Sequence, residues 1–143
     1  MLRGRFGIAT TAPYLEAYVT FPRLELRGFV SLLVDTGADS TVLMPVDGMK
    51  LSIDYKVLTN PTMSQGIGGV ARSFSEKAVL AFSDNRYVYS YLLDIQLLAP
   101  ARQNHRLPSL LGRDVLNQWR GVIDYDRRRL AFTPRRWDLR QKI

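Results

Sequence analysis

The sequence predicts an all-β protein, mainly β-strand with one short C-terminal helix, and two stretches support this prediction. Apolar and polar residues alternate from Tyr14 to Phe21, which is typical of a half-buried strand, and Pro22 ends the pattern. The same alternation runs through 72–82 and 86–97, two segments joined by turn residues. Because each strand then has one apolar face, we expect these faces to pack together as a sheet core.

Further strands flank a central turn. The apolar residues of 24–34 predict a strand that ends at Asp35, and 109–112 predicts a shorter one stopped by a glycine. The mixed segment 51–58 is compatible with a strand that approaches the glycine-rich segment 63–71. Three glycines around one isoleucine favour a mobile hairpin tip in that segment.

The C-terminal part combines a helix, a hairpin and a basic end. Apolar residues at helical spacing predict a helix over 113–120, ended by Gly121. Strands are predicted at 122–125 and 130–132, and the basic residues from about 134 onward predict a loose tail.

Length and composition limit the possible functions. At 143 residues the chain is long enough for a single domain, 1–143, with its own core. It contains no cysteine and one histidine, His105, which excludes disulfides, cysteine nucleophiles and paired histidine ligands. No metal or other cofactor is predicted, and strong acid–base chemistry would depend on carboxylates or lysine.

The net charge of +7 arises largely from the end of the chain. Basic residues crowd the stretch after 126, so a solvated basic end is favoured over a nucleic-acid or acidic-partner site. Polar residues interrupt the segment after the basic start, and no run of about eighteen apolar residues occurs, so neither a signal peptide nor a membrane span is predicted. We therefore expect a soluble cytoplasmic protein without a membrane partner.

The central turn is Asp35-Thr36-Gly37-Ala38, set between the apolar segments 32–34 and 42–43. An apolar strand that ends in Asp-Thr-Gly can hold a carboxylate at the floor of a cleft, where backbone amides and a hydroxyl fix it. The alternative interpretation is an Asx-type turn between two core strands, in which Asp35 only caps the backbone.

Three motifs in this order resemble the retropepsin-like (retroviral-type) aspartic proteases, in particular their cellular and bacterial members. They are Asp35-Thr36-Gly37-Ala38-Asp39-Ser40-Thr41-Val42, then Gly66-Ile67-Gly68-Gly69, then Leu110-Leu111-Gly112-Arg113-Asp114 before a short helix. The resemblance spans roughly residues 14–132. It implies a closed β-barrel that forms one half of an acid protease and acts as a homodimer.

The resemblance also implies roles for the residues of the central turn. Asp35 would be the catalytic aspartate, and Thr36 would bridge to the partner's loop through its hydroxyl. Gly37 would face the substrate backbone, Ala38 would leave room for a side chain, and Asp39 would bind the substrate backbone.

Two further parts of the site follow from the same resemblance. Arg113 would support the site from beneath by pairing with Asp39, in a buried ion pair whose loss of one member costs about 3–5 kcal/mol. The flap over the substrate would have Ile67 at its tip and would comprise Gln65, Gly66, Ile67, Gly68 and Gly69.

An acid protease needs two carboxylates, one to take a proton from water and one, protonated, to polarise the scissile carbonyl. This chain has a single Asp-Thr-Gly, and none of its other aspartates is followed by Thr-Gly or Ser-Gly. The second carboxylate should therefore come from a second copy of Asp35, in a twofold homodimer that cleaves extended peptides. Activity is expected to be best at mildly acidic to neutral pH, where the pair carries one proton.

Two features depart from the viral enzymes. Those chains stop soon after the helix and weave both ends into the dimer sheet, whereas this chain continues through a hairpin. The resemblance therefore does not determine which segments of this chain contact the partner. Asp114 also stands where the viral enzymes commonly carry Asn. The competing hypothesis is a dimer with the same fold that binds peptides or proteins without cutting them.

Overall fold

The computed structural model describes residues 1–66 and 69–143 of the chain. In chain order the strands are β1 (Leu2–Arg3), β2 (Arg5–Phe6), β3 (Pro13–Phe21), β4 (Leu26–Val34), β5 (Val42–Leu43), β6 (Pro61–Gly66), β7 (Gly69–Ser83), β8 (Tyr87–Leu98), β9 (Leu110–Leu111), β10 (Trp119–Asp124), β11 (Arg129–Pro134) and β12 (Leu139–Lys142). The helices are α1 (Pro45–Lys50) and α2 (Arg113–Leu116), and one turn of 3-10 helix covers Tyr55–Val57.

Six of the described strands close into a β-barrel, in the order β8, β5, β9, β4, β3, β7 and back to β8. The long antiparallel pairs β3–β4 and β7–β8 form most of its wall. The short strands β5 and β9 complete the wall, because β5 runs parallel to β8 and β9 runs parallel to β4. The all-β class and the closed barrel predicted from the sequence are therefore confirmed.

A second, smaller sheet lies beside the barrel. Its strand order is β1, β11, β10, with Leu2 opposite Phe132 and Gly121 opposite the same phenylalanine on the other side. Leu2 and Phe132 are buried. Trp119 at the start of β10 joins the two sheets, because its ring lies 4.8 Å from the ring of Phe82 on β7 and 5.3 Å from that of Phe132.

The barrel interior is filled by one face of each long strand. Alternate residues of β3 are buried, as the sequence pattern predicted, and the partners on β4, β7 and β8 point to the same interior. The fully buried apolar side chains include Val19, Phe21, Leu32, Leu80, Ile95, Leu97, Leu111 and Val115. Leu111 lies just before Gly112, and Val115 lies in α2 just after it. Because the Asp35 N–H donates to the Leu111 carbonyl, the core extends directly beneath the central turn.

One predicted strand is absent and the predicted C-terminal helix is shorter than expected, because tertiary or local polar contacts outweigh the sequence pattern. The segment 51–58 contains no strand; the Asp54 carboxylate accepts a hydrogen bond from the Lys56 N–H at 3.0 Å and caps the 3-10 turn instead. The helix predicted over 113–120 ends at Leu116. Trp119 starts a strand, where its buried indole N–H donates to the Tyr91 hydroxyl at 2.7 Å.

The basic end was also predicted wrongly as loose. It forms β12, which pairs antiparallel with β8 from Leu139, opposite Ser90, to Lys142, opposite Tyr87. The guanidinium group of Arg140 lies 4.3 Å from the ring centre of Tyr87, a cation–π contact that fixes the strand.

The sequence predicted one short C-terminal helix, and the structure has a second α-helix, α1, earlier in the chain. Helix α1 begins at Pro45, whose fixed φ suits a first helical position. No helix in the described part of the chain is long and apolar enough to cross a membrane.

Candidate active site

The central turn leaves the barrel at the end of β4. The Leu33 N–H donates to the Ser109 carbonyl at 2.8 Å, and the Asp35 N–H donates to the Leu111 carbonyl at 3.1 Å. These bonds continue the parallel pairing of β4 with β9 as far as Asp35 itself. The backbone of the aspartate is therefore fixed by the barrel wall.

The Asp35 carboxylate is held by its own turn. The Ala38 N–H donates to the Asp35 carbonyl at 3.2 Å and closes the turn, while the Gly37 N–H donates to Asp35 Oδ1 at 2.9 Å. A Cβ at Gly37 would lie 3.2 Å from the same oxygen, which is tighter than ordinary contact. Asp35 is half-buried whereas Thr36 and Gly37 are exposed, so the carboxylate lies beside an open surface.

Arg113 ties the turn to α2. Its backbone N–H donates to the Ala38 carbonyl at 2.8 Å, and its guanidinium donates through Nη1 to the Thr36 carbonyl at 2.7 Å. Through Nη2 the same guanidinium forms an ion pair with Asp39. The predicted partnership is found, but in this chain it is not buried: the Asp39 side chain is 91% exposed. An ion pair this accessible to water contributes at most about 1 kcal/mol, so the expected cost of 3–5 kcal/mol does not apply to the single chain.

Beneath the turn, Asp114 and Thr41 form a polar network. The Thr41 N–H and hydroxyl donate to the two oxygens of Asp114, each at 2.8 Å, and the Val115 N–H donates to Oδ1 at 2.9 Å. The Thr41 hydroxyl in turn accepts from the Gly112 N–H at 3.2 Å. Thr41 is fully buried, and this network joins the segment after the central turn to α2.

Gly112 is required by a close backbone crossing. A Cβ there would lie within 2.5 Å of the Ser40 carbonyl oxygen, with the other nearest atoms also belonging to the Ser40 backbone. Its φ of −95° is ordinary, so it is the space and not the conformation that demands glycine.

A second buried contact anchors α1 beside the site. The Ser109 hydroxyl accepts from the Met44 N–H at 2.9 Å and donates to Asp47 Oδ2 at 2.5 Å. Ser109 and Asp47 are both buried. This contact links the residue just before β9 to α1.

The predicted flap lies on the hairpin of β6 and β7. Gln65 pairs with Val70 and Gly66 with Gly69, so the backbone on both sides of the tip has the predicted hairpin form. The tip residues Ile67 and Gly68 lie outside the described residues, as do the side chains of 64–71.

Below those residues, the hairpin is joined to the barrel by side chains. The Thr62 hydroxyl donates to Gln96 Oε1 at 2.7 Å and lies 2.6 Å from Ser73 Oγ. Buried Glu76 accepts three hydrogen bonds from the Arg23 guanidinium, between 2.6 and 3.2 Å. The hydrogen bond with Glu76, more than the coulombic attraction, raises the pKa of Arg23.

Sequence reasoning brought Asp35, Thr36, Gly37, Ala38 and Asp39 together in one turn, and the structure places Arg113 against that turn. The sequence analysis assigned no role to Thr41 and no effect to Asp114. Thr41 lies inside an apolar segment, and a buried threonine must find a hydrogen-bond partner, so this position was the signal for the network.

The closed six-stranded barrel and its Asp-Thr-Gly turn define a retropepsin-like fold. The sequence model of the retroviral aspartyl protease family matches residues 11–124, and the chain belongs to this family.

Solved structures agree with this fold. A retropepsin-like aspartic protease from Rickettsia conorii superposes with a TM-score of 0.59 and 18% identity, over 91% of this chain and 96% of that one. The EIAV protease, solved with an inhibitor, gives a TM-score of 0.51 and 20% identity, over 78% of this chain and 90% of that one. No curated protein matches the sequence.

Proposed function

We propose that this protein, with residues 1–143 as a single protease domain, is an aspartic endopeptidase whose catalytic pair is Asp35 from each of two identical chains. The observation that carries the proposal is the Asp35 carboxylate, fixed by the Gly37 N–H at 2.9 Å in a turn whose next two residues are exposed. Membership of the retroviral aspartyl protease family supports the same chemistry.

The reaction uses one ionised and one protonated carboxylate. The ionised Asp35 takes a proton from water as the water oxygen attacks the carbonyl carbon, and the protonated Asp35 of the partner subunit gives its proton to the carbonyl oxygen. The tetrahedral diol then collapses: the Asp35 that took the proton from water gives it to the nitrogen, the other Asp35 takes a proton from a diol hydroxyl, the C–N bond breaks, and an acid and an amine leave. The pair has one proton before and after the cycle.

The second copy is required by the carboxylate count. This chain has one Asp-Thr-Gly, and two carboxylates that share a proton must lie within hydrogen-bond range of each other. A twofold axis beside Asp35 brings the two together with a single interface. Thr36 is exposed, and its hydroxyl would reach the partner's loop across that axis.

The rest of the turn would bind an extended peptide. Gly37 and Asp39 offer polar groups to the substrate backbone, and Ala38 leaves space for a side chain. Residues 65–69 would cover the peptide as a flap, with Ile67 at the tip. Arg113 positions the turn by holding the carbonyl of Thr36 at 2.7 Å.

The test is hydrolysis of an unfolded protein such as reduced casein, followed by mass spectrometry of the products. Asp35→Asn keeps an oxygen that can accept from the Gly37 N–H but removes the acid, so cleavage should stop. Asp94→Asn is the matched control, because Asp94 is exposed on β8, and it should cleave like the unmodified protein.

Cleavage by the Asp35→Asn variant at the unmodified rate would remove Asp35 from the chemistry. A protein that binds a peptide but leaves it whole would instead be the non-cutting dimer with the same fold. Analytical ultracentrifugation of the same samples reports whether the active species is a dimer.

A further inference from the structure

Most of the positive charge of the chain lies on one small part of the fold. Residues 1–6 and 119–136, which include β1, β2, β10 and β11, contain eight arginines, two aspartates and no lysine. They therefore carry +6 of the net charge of +7, and the remaining residues are almost neutral, with twelve basic and eleven acidic side chains. The arginines are Arg3, Arg5, Arg120, Arg127, Arg128, Arg129, Arg135 and Arg136.

The small sheet holds three of these arginines on one face. The opposite face is buried at Leu2 and Phe132, which lie opposite each other on β1 and β11. Because successive residues of a strand point to opposite faces, the exposed residues next in register lie on the face that points away. We call three of them the basic face: Arg3, Arg120 and Arg129, all of which are exposed.

No acid of the chain neutralises these cations by a direct ion pair. Within residues 1–66 and 69–143, none of the eight arginines takes part in an ion pair. Asp124 lies opposite Arg129 in the strand register, but its carboxylate accepts a hydrogen bond from the Arg127 N–H at 3.0 Å and closes the turn. The basic face is therefore available to an anion from outside the chain.

The side chains of this region favour phosphate as the ligand. All of the cations are arginines, and a planar guanidinium donates two parallel hydrogen bonds to a phosphate. The sheet also fixes their spacing, since neighbouring strands lie about 4.8 Å apart and residues on one face of a strand lie about 6.5 Å apart. Such an array can contact several phosphates of one polymer, which a loose basic tail would do only at a greater cost in entropy.

An exposed tyrosine beside the arginines offers a surface for a base. Tyr125 is 58% exposed and lies in the turn between β10 and β11, which also contains Arg127 and Arg128. Its ring lies 5.2 Å from the ring of Phe6, which holds it in place. Cations that follow a backbone, together with an aromatic ring on which a base stacks, are the means by which proteins bind single-stranded nucleic acids. An acidic peptide would use the cations alone.

From these observations we infer that the small sheet binds single-stranded nucleic acid. The phosphates lie on the basic face and on the arginines of the turn after β10, and a base stacks on Tyr125. This surface uses no residue of the Asp35 turn, so the inference does not depend on the proposed function.

The salt dependence of binding gives the first test. The probe is a fluorescein-labelled oligothymidylate of about fifteen nucleotides, and fluorescence anisotropy measures its Kd for the unmodified protein. If four arginines each neutralise one phosphate, log Kd should rise with log salt with a slope of about 2.8. Binding should then weaken about fiftyfold between about 50 and 200 mM KCl.

A matched pair of double variants locates the site. R3Q/R129Q removes two charges from the basic face, and it should weaken binding at least about tenfold and lower the slope by about 1.4. R27Q/R102Q removes the same charge from exposed positions on β4 and in the loop after β8, and it should change Kd by less than about twofold. Circular dichroism and thermal unfolding of both proteins show whether each variant keeps its fold.

Tyr125→Ala separates a nucleic acid from other polyanions. Loss of a stacked base should weaken oligothymidylate binding at least about fivefold. Heparin is a polyanion without bases, so its affinity should change by less than about twofold in the same variant. Unchanged heparin binding also shows that the sheet remains intact.

Several results would overturn the inference. Absence of oligothymidylate binding at about 50 mM KCl would exclude the site, and equal losses in R3Q/R129Q and R27Q/R102Q would reduce it to non-specific attraction by net charge. A Tyr125→Ala protein that binds oligothymidylate like the unmodified protein, or that loses heparin equally, would leave a general polyanion surface with no preference for nucleic acid. Casein cleavage by the unmodified protein, measured in parallel, tests the proposed function separately.

Discussion

Thr41 donates two hydrogen bonds to Asp114, one from its backbone N–H and one from its hydroxyl, each at 2.8 Å. This pair joins the segment after the Asp-Thr-Gly turn to the first turn of α2. It also explains the acid at a position where the viral enzymes commonly carry Asn. A carboxylate offers acceptors to Thr41 and to the Val115 N–H together, whereas an amide would turn its NH₂ group toward one of these donors.

Asp114→Asn should therefore lower the free energy of unfolding by about 1–3 kcal/mol, because a donor beneath the turn loses its acceptor. Urea denaturation followed by circular dichroism measures this difference. Asp126→Asn, at an exposed position in the turn between β10 and β11, should change it by less than about 0.5 kcal/mol. Equal effects of the two substitutions would show that the network does not stabilise the fold.

Gly37→Ala and Gly112→Ala should separate effects on chemistry from effects on folding. At Gly112 a Cβ meets the Ser40 backbone within 2.5 Å, so the alanine should cost about 1–3 kcal/mol and also displace the turn. At Gly37 the nearest atom is Asp35 Oδ1 at 3.2 Å, so the alanine should disturb the carboxylate with little loss of stability. Thermal unfolding and casein cleavage of both variants provide the comparison; a Gly112→Ala protein with unmodified activity and Tm would contradict it.

Acid sensitivity should depend in part on Asp84, in the turn between β7 and β8. Burial alone would raise the pKa of this carboxyl, but the Arg86 and Tyr87 N–H groups, at 2.7 and 2.8 Å, and the N-terminal ammonium at 3.0 Å hold it below its usual value. The resulting stabilisation is present above the unfolded-state pKa of about 3.9 and is lost as the pH falls through the lower folded-state value.

Asp84→Asn should thus reduce stability by about 1 kcal/mol at pH 7, and the difference from the unmodified protein should shrink below about pH 4. Unfolding free energies measured between pH 2 and pH 7 test this, with Asp126→Asn as the control. A difference that stayed constant over this range would assign the effect to the turn geometry and not to the charge.

Deleting residues 135–143 should destabilise the barrel. The deletion removes β12 and opens an edge of β8, and it takes away the Arg136 carbonyl that accepts from the Tyr91 hydroxyl at 2.8 Å. A lower Tm and aggregation on heating are expected. Lys142→Gln keeps the strand while removing one charge, so it should behave like the unmodified protein; comparable losses in both would instead indicate that charge matters more than pairing.

The sequence predicted the parts of the fold that depend on local pattern. Alternation over β3, β7 and β8 requires only that one face be apolar, and the Asp35 turn requires only residues that are adjacent in the chain. The family resemblance predicted the pairing of Arg113 with Asp39. It did not predict that the pair is exposed, because exposure depends on what surrounds the turn.

The sequence failed where distant partners decide the structure. Val115, Leu116 and Trp119 have helical spacing, yet Trp119 belongs to a strand because its indole ring reaches the rings of Phe82 and Tyr91. The cluster of basic residues near the end indicated a solvated tail. The basic end instead forms β12, where the guanidinium group of Arg140 contacts the rings of Tyr87 and Trp137. A charge pattern alone does not predict these contacts.

The pairing of both β1 and β12 within their own chain has a consequence for regulation. Under the proposed function, two molecules would separate without unpairing either strand, so each subunit should survive dilution as a folded but idle species. Turnover would then rise with the square of protein concentration when dimers are scarce, and cellular abundance would act as the switch for cleavage.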